Sequence, residues 1–171
     1  MTINKNVSIG LFNPKSPSNV GAVLRAAGCY GVREVRYCGE RFDRAKKYQT
    51  DTKNVGSTIP LIHENDLLSR RPPDIALICV EIAEGATSLP AFTHPENALY
   101  CFGPEDGSLP QRLIDAADDV VYVPTFGCMN LAASVNVILY DRLAKSDSDI
   151  DHQQRILRSR DSNNRLKVGS V

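Results

Sequence analysis

The chain has 171 residues, 42% of them hydrophobic, which fits one domain with a buried core and leaves little room for a second. Lysine plus arginine and aspartate plus glutamate both number 20, so the net charge is zero; a globally basic surface is excluded, and any nucleic-acid contact must rest on local basic patches. Five cysteines, Cys29, Cys38, Cys79, Cys101 and Cys128, lie at long intervals with no C-x-x-C and no nearby histidine partners, which argues against zinc or a disulfide framework and predicts a reduced, cytoplasmic protein without a metal.

In chain order, Met1–Val7 holds no apolar signal core, and no later run approaches the roughly 20 residues of a membrane helix, so neither secretion nor membrane insertion is expected. Val7–Phe12 is a nearly continuous apolar run and predicts a buried strand. After Ser18, the spacing of Val20, Val23, Leu24 and Ala27 predicts a helix, with Ser18 or Asn19 as its cap. Val32–Tyr37 reads as a second strand. Arg41 to Thr58 is polar and basic, with Arg44, Lys46, Lys47 and Lys53, and reads as an exposed loop or a short helix. Strands follow at Ile75–Val80, Ala98–Phe102 and Val120–Val123, and Leu131, Val135, Ile138, Leu139 and Leu143 mark a last strong helix. Strand and helix alternate, so the predicted class is α/β, a mostly parallel sheet flanked by helices. Residues 1–145 form the expected domain. Residues 146–171, with Arg155, Arg158, Arg160, Arg165 and Lys167 among polar neighbours, form a basic tail expected to be mobile or ordered by a partner.

Three segments stand where a strand turns toward a helix, the place where open α/β sheets bind ligands. Asn13 to Gly28 puts Gly21, Arg25 and Gly28 on one flank of the first helix, away from its apolar stripe; a solvated arginine beside packing glycines would read the same way. Tyr100 to Pro110 is a glycine-containing turn that could admit a flat ligand, or an ordinary βα turn. Val121 to Asn136 places Asn130 at a helix start, where it could simply be a cap, and Asn136 inside an otherwise apolar helix.

Together and in this order the segments resemble the three signature motifs of the SpoU/TrmH branch of the SPOUT RNA methyltransferases, from about Val7 to Tyr140. The first, Asn-x-Gly followed by a helical Arg, is matched by Asn19, Gly21 and Arg25. The second, a Phe-Gly-x-Glu-x-x-Gly-Leu-like turn, is matched by Phe102, Gly103, Glu105 and Leu109, with Gly107 one residue early. The third, Ile-Pro followed by Ser-Leu-Asn or Ser-Met-Asn, is matched by Val123, Pro124, Met129 and Asn130. Cys128 replaces the usual Ser, Ala132 replaces a frequent second Ser, and the loop between Pro124 and Met129 is short.

The resemblance implies a C-terminal trefoil knot, a homodimer with sites drawn from both chains, and S-adenosyl-L-methionine as methyl donor, converted to S-adenosyl-L-homocysteine. It implies methylation of a ribose 2′-hydroxyl of tRNA or rRNA, as in the small enzymes of the tRNA wobble ribose. Arg25 is then the central catalytic group. A guanidinium normally stays protonated, so orienting ribose and phosphate is the easier role than acting as base. Asn19 and Asn130 are expected to hold Arg25 and the loops, with Glu105 orienting the same network. Val80, Phe102, Gly103, Val123, Pro124, Cys128, Met129 and Leu131 would hold the cofactor, and Arg44, Lys46 and Lys47 would contact RNA phosphates. Two alternatives stay open: a related enzyme acting on a base, and a cofactor-binding but inactive paralogue or RNA chaperone, suggested by Cys128, Ala132 and the short loop. A dinucleotide-dependent dehydrogenase is set aside, because no G-x-G-x-x-G follows the first strand.

Overall fold

Apolar runs without alternation belong in strands covered on both faces, and that is where they lie in the computed structural model, which describes residues 6–46, 59–69, 71–146, 151–161 and 163–169. Seven strands, β1 Val7–Phe12, β2 Glu34–Cys38, β3 Leu61–His63, β4 Ala76–Val80, β5 Thr87–Ser88, β6 Ala98–Phe102 and β7 Asp119–Tyr122, form one sheet in the order β3-β2-β1-β6-β4-β7-β5. Every described pairing is parallel. The later strands β6 and β7 are inserted between earlier ones, β6 between β1 and β4 and β7 between β4 and β5. Expected strands correspond to β1, β2, β4, β6 and β7; β3 and β5, three and two residues long, carry no apolar run to announce them.

Five α-helices, α1 Pro17–Tyr30, α2 Arg41–Lys46, α3 Gln111–Asp115, α4 Leu131–Ala144 and α5 His152–Ser159, and one short 3-10 helix, Leu89–Ala91, complete the described elements. Val7, Ile9 and Leu11 of β1 point to one face, where Val20, Val23, Ala26 and Ala27 of α1 and Val135, Ile138 and Leu139 of α4 close a single core. On the other face Leu77, Cys79, Leu99 and Cys101 pack with Leu67 and with Leu113 of α3. The helix α1 starts earlier than its apolar stripe suggests. Ser16, not Ser18 or Asn19, is its cap, accepting the Asn19 N–H, with Pro17 preset for the first turn. Its end is fixed by Gly31 at φ +68°, a left-handed cap that favours glycine. α2 realises the short-helix alternative for the start of the basic stretch; Lys47 and Lys53 lie outside the described residues.

The far end of α4 is fastened by a buried polar cluster. Arg142 donates to the carbonyls of Pro95 and Glu96 and to the Tyr100 hydroxyl. His94 lies between Tyr100 and Asp141, 2.7 Å and 2.9 Å away. Burial pushes the His94 pKa down, against the pull of Asp141. Beyond α4, helix α5 is capped by Asp151, and its Ile156 and Leu157 side chains stand exposed. No described helix is long and apolar enough to cross a membrane.

Candidate active site

The site lies at the carboxyl ends of the strands. After β1 the chain reverses through Asn13, held at φ +46°, a conformation that asparagine tolerates better than most residues. Because Ser16 caps α1, the Asn19 side chain is released from local capping and reaches two other loops. Its Nδ2 donates to Glu105 Oε1 at 3.0 Å, and its Oδ1 accepts from Asn130 Nδ2 at 3.1 Å. Asn130 is at once the cap of α4, its Oδ1 accepting from the N–H groups of Ala132 and Ala133. Glu105 also accepts the N–H of Lys15 at 2.8 Å and of Ser16 at 3.0 Å. One residue from each motif thus joins a single network across the three loops.

Desolvation alone would raise the Glu105 pKa, but the donors from Asn19, Lys15 and Ser16 outweigh it and hold the carboxyl below its usual 4.5. A depressed carboxyl contributes its stability in full above pH 4.5 and loses it as pH falls through the lower folded value. Glu105→Gln is therefore expected to lower Tm at neutral pH, with the gap from wild type closing in acid. A gap that stays constant down to unfolding would show that the charge of Glu105 does not matter. Beside it, the Arg41 guanidinium, bonded twice to Asp106 at 2.8 Å, holds that carboxyl at about 2, with Lys15 Nζ 3.4 Å away.

Below the network opens a cavity of about 200 Å³ walled by the ends of β4, β6 and β7 and the start of α4. Of the eight residues expected to hold a cofactor, Val80, Phe102, Gly103, Val123, Cys128, Met129 and Leu131 line it; Pro124, between two lining residues, does not. Glu105 reaches the cavity as well, with Glu81, Ile82, Tyr122, Thr125 and Ser134, none of which was singled out from sequence. The rule that ligands sit at strand ends would have found Glu81 and Ile82, directly after Val80. Gly103 is favoured by close packing: a Cβ there would stand a tight 3.2 Å from Leu109 N and 3.4 Å from Glu81 Oε2. Backbone groups, apolar walls and carboxylates with no lining lysine, arginine or histidine among the described residues fit a flat ligand that carries positive charge.

Arg25 is exposed on α1 and makes no hydrogen bond or ion pair among the described residues, so the expected bonds from Asn19 and Asn130 to it are not formed; those two amides serve Glu105 and each other. Arg44 is exposed and paired with Glu40, Lys46 ends α2, and Lys47 is outside the described residues. Asn136 resolves its own demand by donating to the Ala132 carbonyl at 2.9 Å. No group of three or more metal-ligating side chains gathers among the described residues.

Comparison with known proteins follows this geometry. A tRNA (cytidine-2'-O-)-methyltransferase, TrmJ, of Methanocaldococcus jannaschii is 29% identical over 159 residues, which cover 81% of this chain and 68% of that protein. The crystal structure of an AdoMet-bound rRNA methyltransferase from Sinorhizobium meliloti superposes with a TM-score of 0.66 at 19% identity, over 84% of this chain and 58% of the other. The A. aeolicus TrmH/SpoU tRNA modifying enzyme gives 0.68 at 14% identity, over 95% and 83%. Several such relatives are longer, and this chain spans less than two thirds of the Sinorhizobium protein. The SpoU rRNA methylase family matches residues 6–140, most of the chain and all three loops of the network, and the chain belongs to that family.

Proposed function

We propose that this protein is an S-adenosylmethionine-dependent RNA methyltransferase that modifies a ribose 2′-hydroxyl of tRNA or rRNA. The observation that carries the reading is the Glu105–Asn19–Asn130 network at the rim of a cavity lined by seven of the residues expected for the cofactor. Family membership and the activity named for the Methanocaldococcus relative support the reaction class. When bound, the cofactor would supply an activated methyl group: the carbon–sulfur electron pair would stay on sulfur, the ribose oxygen would form the new bond, and its proton would pass to solvent. The protein's share is alignment, since a weak nucleophile must be held in line with that methyl group. The network fixes the loop after β6 against the starts of α1 and α4, and so fixes the walls of the cavity. Arg25, its guanidinium uncommitted among the described residues, is the group proposed to clamp the ribose and its phosphate.

Membership in the family and the insertion of β6 and β7 between earlier strands support a trefoil knot in the C-terminal half. The exposed position of Arg25, outside its own chain's network, supports a homodimer in which it serves a shared site; light scattering of the purified chain tests this, and a monomer at working concentration would overturn it. Residues 1–145 are proposed as the methyltransferase domain and 146–171 as a basic appendage. Arg44, Lys46 and Lys47 remain candidates for phosphate contact.

The test is incubation with radiolabelled S-adenosylmethionine and tRNA or rRNA from a host lacking this gene, then nucleoside analysis. A labelled 2′-O-methylnucleoside is the expected result. Cofactor binding with no transfer to any RNA would instead establish the inactive reading that Cys128, exposed at the cavity wall, favours.

A further inference from the structure

Two carboxylates, Glu81 and Glu105, line the cavity, and among the described residues no lysine, arginine or histidine does. Glu105 is committed to the inter-loop network. Glu81 is not part of it, and it forms no ion pair among the described residues.

Its position is fixed from both ends. Glu81 is the first residue after β4, its N–H donating to the Val121 carbonyl at 3.0 Å. Its Oε2 accepts the Leu109 N–H at 2.8 Å and its Oε1 accepts the N–H of Ile82 at 3.0 Å. Gly103, itself a lining residue, lies directly beside Oε2: a Cβ there would stand 3.4 Å from it. The Glu81 carboxylate is thus held by neutral backbone donors and not by a cation, and a charge in a partly enclosed cavity acts over several ångströms.

We propose that Glu81 makes this pocket select for positive charge, so that it holds the sulfonium cofactor and lets go of the neutral thioether left after transfer. The inference rests on the reading that S-adenosylmethionine fills this cavity. The methionine ammonium and carboxylate are common to donor and product, so the charge on sulfur is the difference between them. A pocket lined only by neutral groups would hold the two alike and be inhibited by its own product. With a fixed carboxylate in the wall, the donor is favoured by about tenfold or more.

Isothermal titration calorimetry on the full chain, with S-adenosylmethionine, S-adenosylhomocysteine and sinefungin, which carries an ammonium in place of the sulfonium, tests this without RNA or turnover. Wild type is expected to bind both cations about tenfold more tightly than the thioether. Glu81→Gln keeps an acceptor for the Leu109 N–H and loses the charge; its affinity for the thioether should stay while the preference shrinks to about threefold or less. Equal weakening for all three ligands would reduce Glu81 to a loop fastener and overturn the proposal. Equal binding of the three by wild type would overturn it without any variant, and would leave the cofactor reading intact. A wild-type chain that binds none of them overturns both.

Discussion

Arg25→Ala is expected to lower methyl transfer to RNA by about two to three orders of magnitude, the scale on which loss of one positioned donor acts in an active site. Cofactor affinity should be nearly unchanged, because Arg25 does not line the cavity. Arg25→Lys should recover little, since a point charge cannot reproduce a planar fork against ribose and phosphate. Single-turnover rates with saturating RNA, beside calorimetric cofactor affinity, separate the two quantities. Full activity in the alanine variant would remove Arg25 from the mechanism, and a matched loss of cofactor binding would place it in the pocket instead.

The second large effect is on stability. Arg142 is 8% exposed and binds the carbonyls of Pro95 and Glu96 and the buried Tyr100 hydroxyl. Arg142→Ala leaves the Pro95 and Glu96 carbonyls short of a donor and the Tyr100 hydroxyl with His94 alone, at a cost of about 3 kcal/mol. For a chain of this size that is a fall of about 6–12 °C in Tm, read by calorimetry or circular dichroism. A fall below about 2 °C would mean that water replaces the guanidinium without penalty. The cavity is at the opposite end of α4, so cofactor affinity measured well below Tm should be retained.

What could be read from the sequence divides along a physical line. β1 and β6 match their apolar runs residue for residue, because a strand covered on both faces is mostly apolar along its whole length; the one polar side chain, Ser8 of β1, is bonded to Glu34. β3 and β5 were missed because pairing across the sheet, not composition, makes them strands. The amide network shows the same division. Asn19 and Asn130 were recognisable from the motifs, yet a bond between residues 111 apart depends on which side chain caps α1, and Ser16 wins that place over Ser18 and Asn19. The expectation that Arg25 would be tied into the network failed for the same reason: each amide had nearer partners. Glu81 carried no motif at all, and only its position beside Gly103 and Leu109 gives it meaning.

The strand order also sets when this protein can become itself. Val7 of β1 lies beside Ala98 of β6, so β1 waits on one flank for a partner made only after β2, β3, β4 and β5. A nascent chain on the ribosome therefore carries the unpaired edge of β1 until β6 has been made, and pairing over such separations belongs to the slow end of folding rates. The amide bridge from Asn19 to Asn130 comes later still: a chain released before α4 has no assembled site.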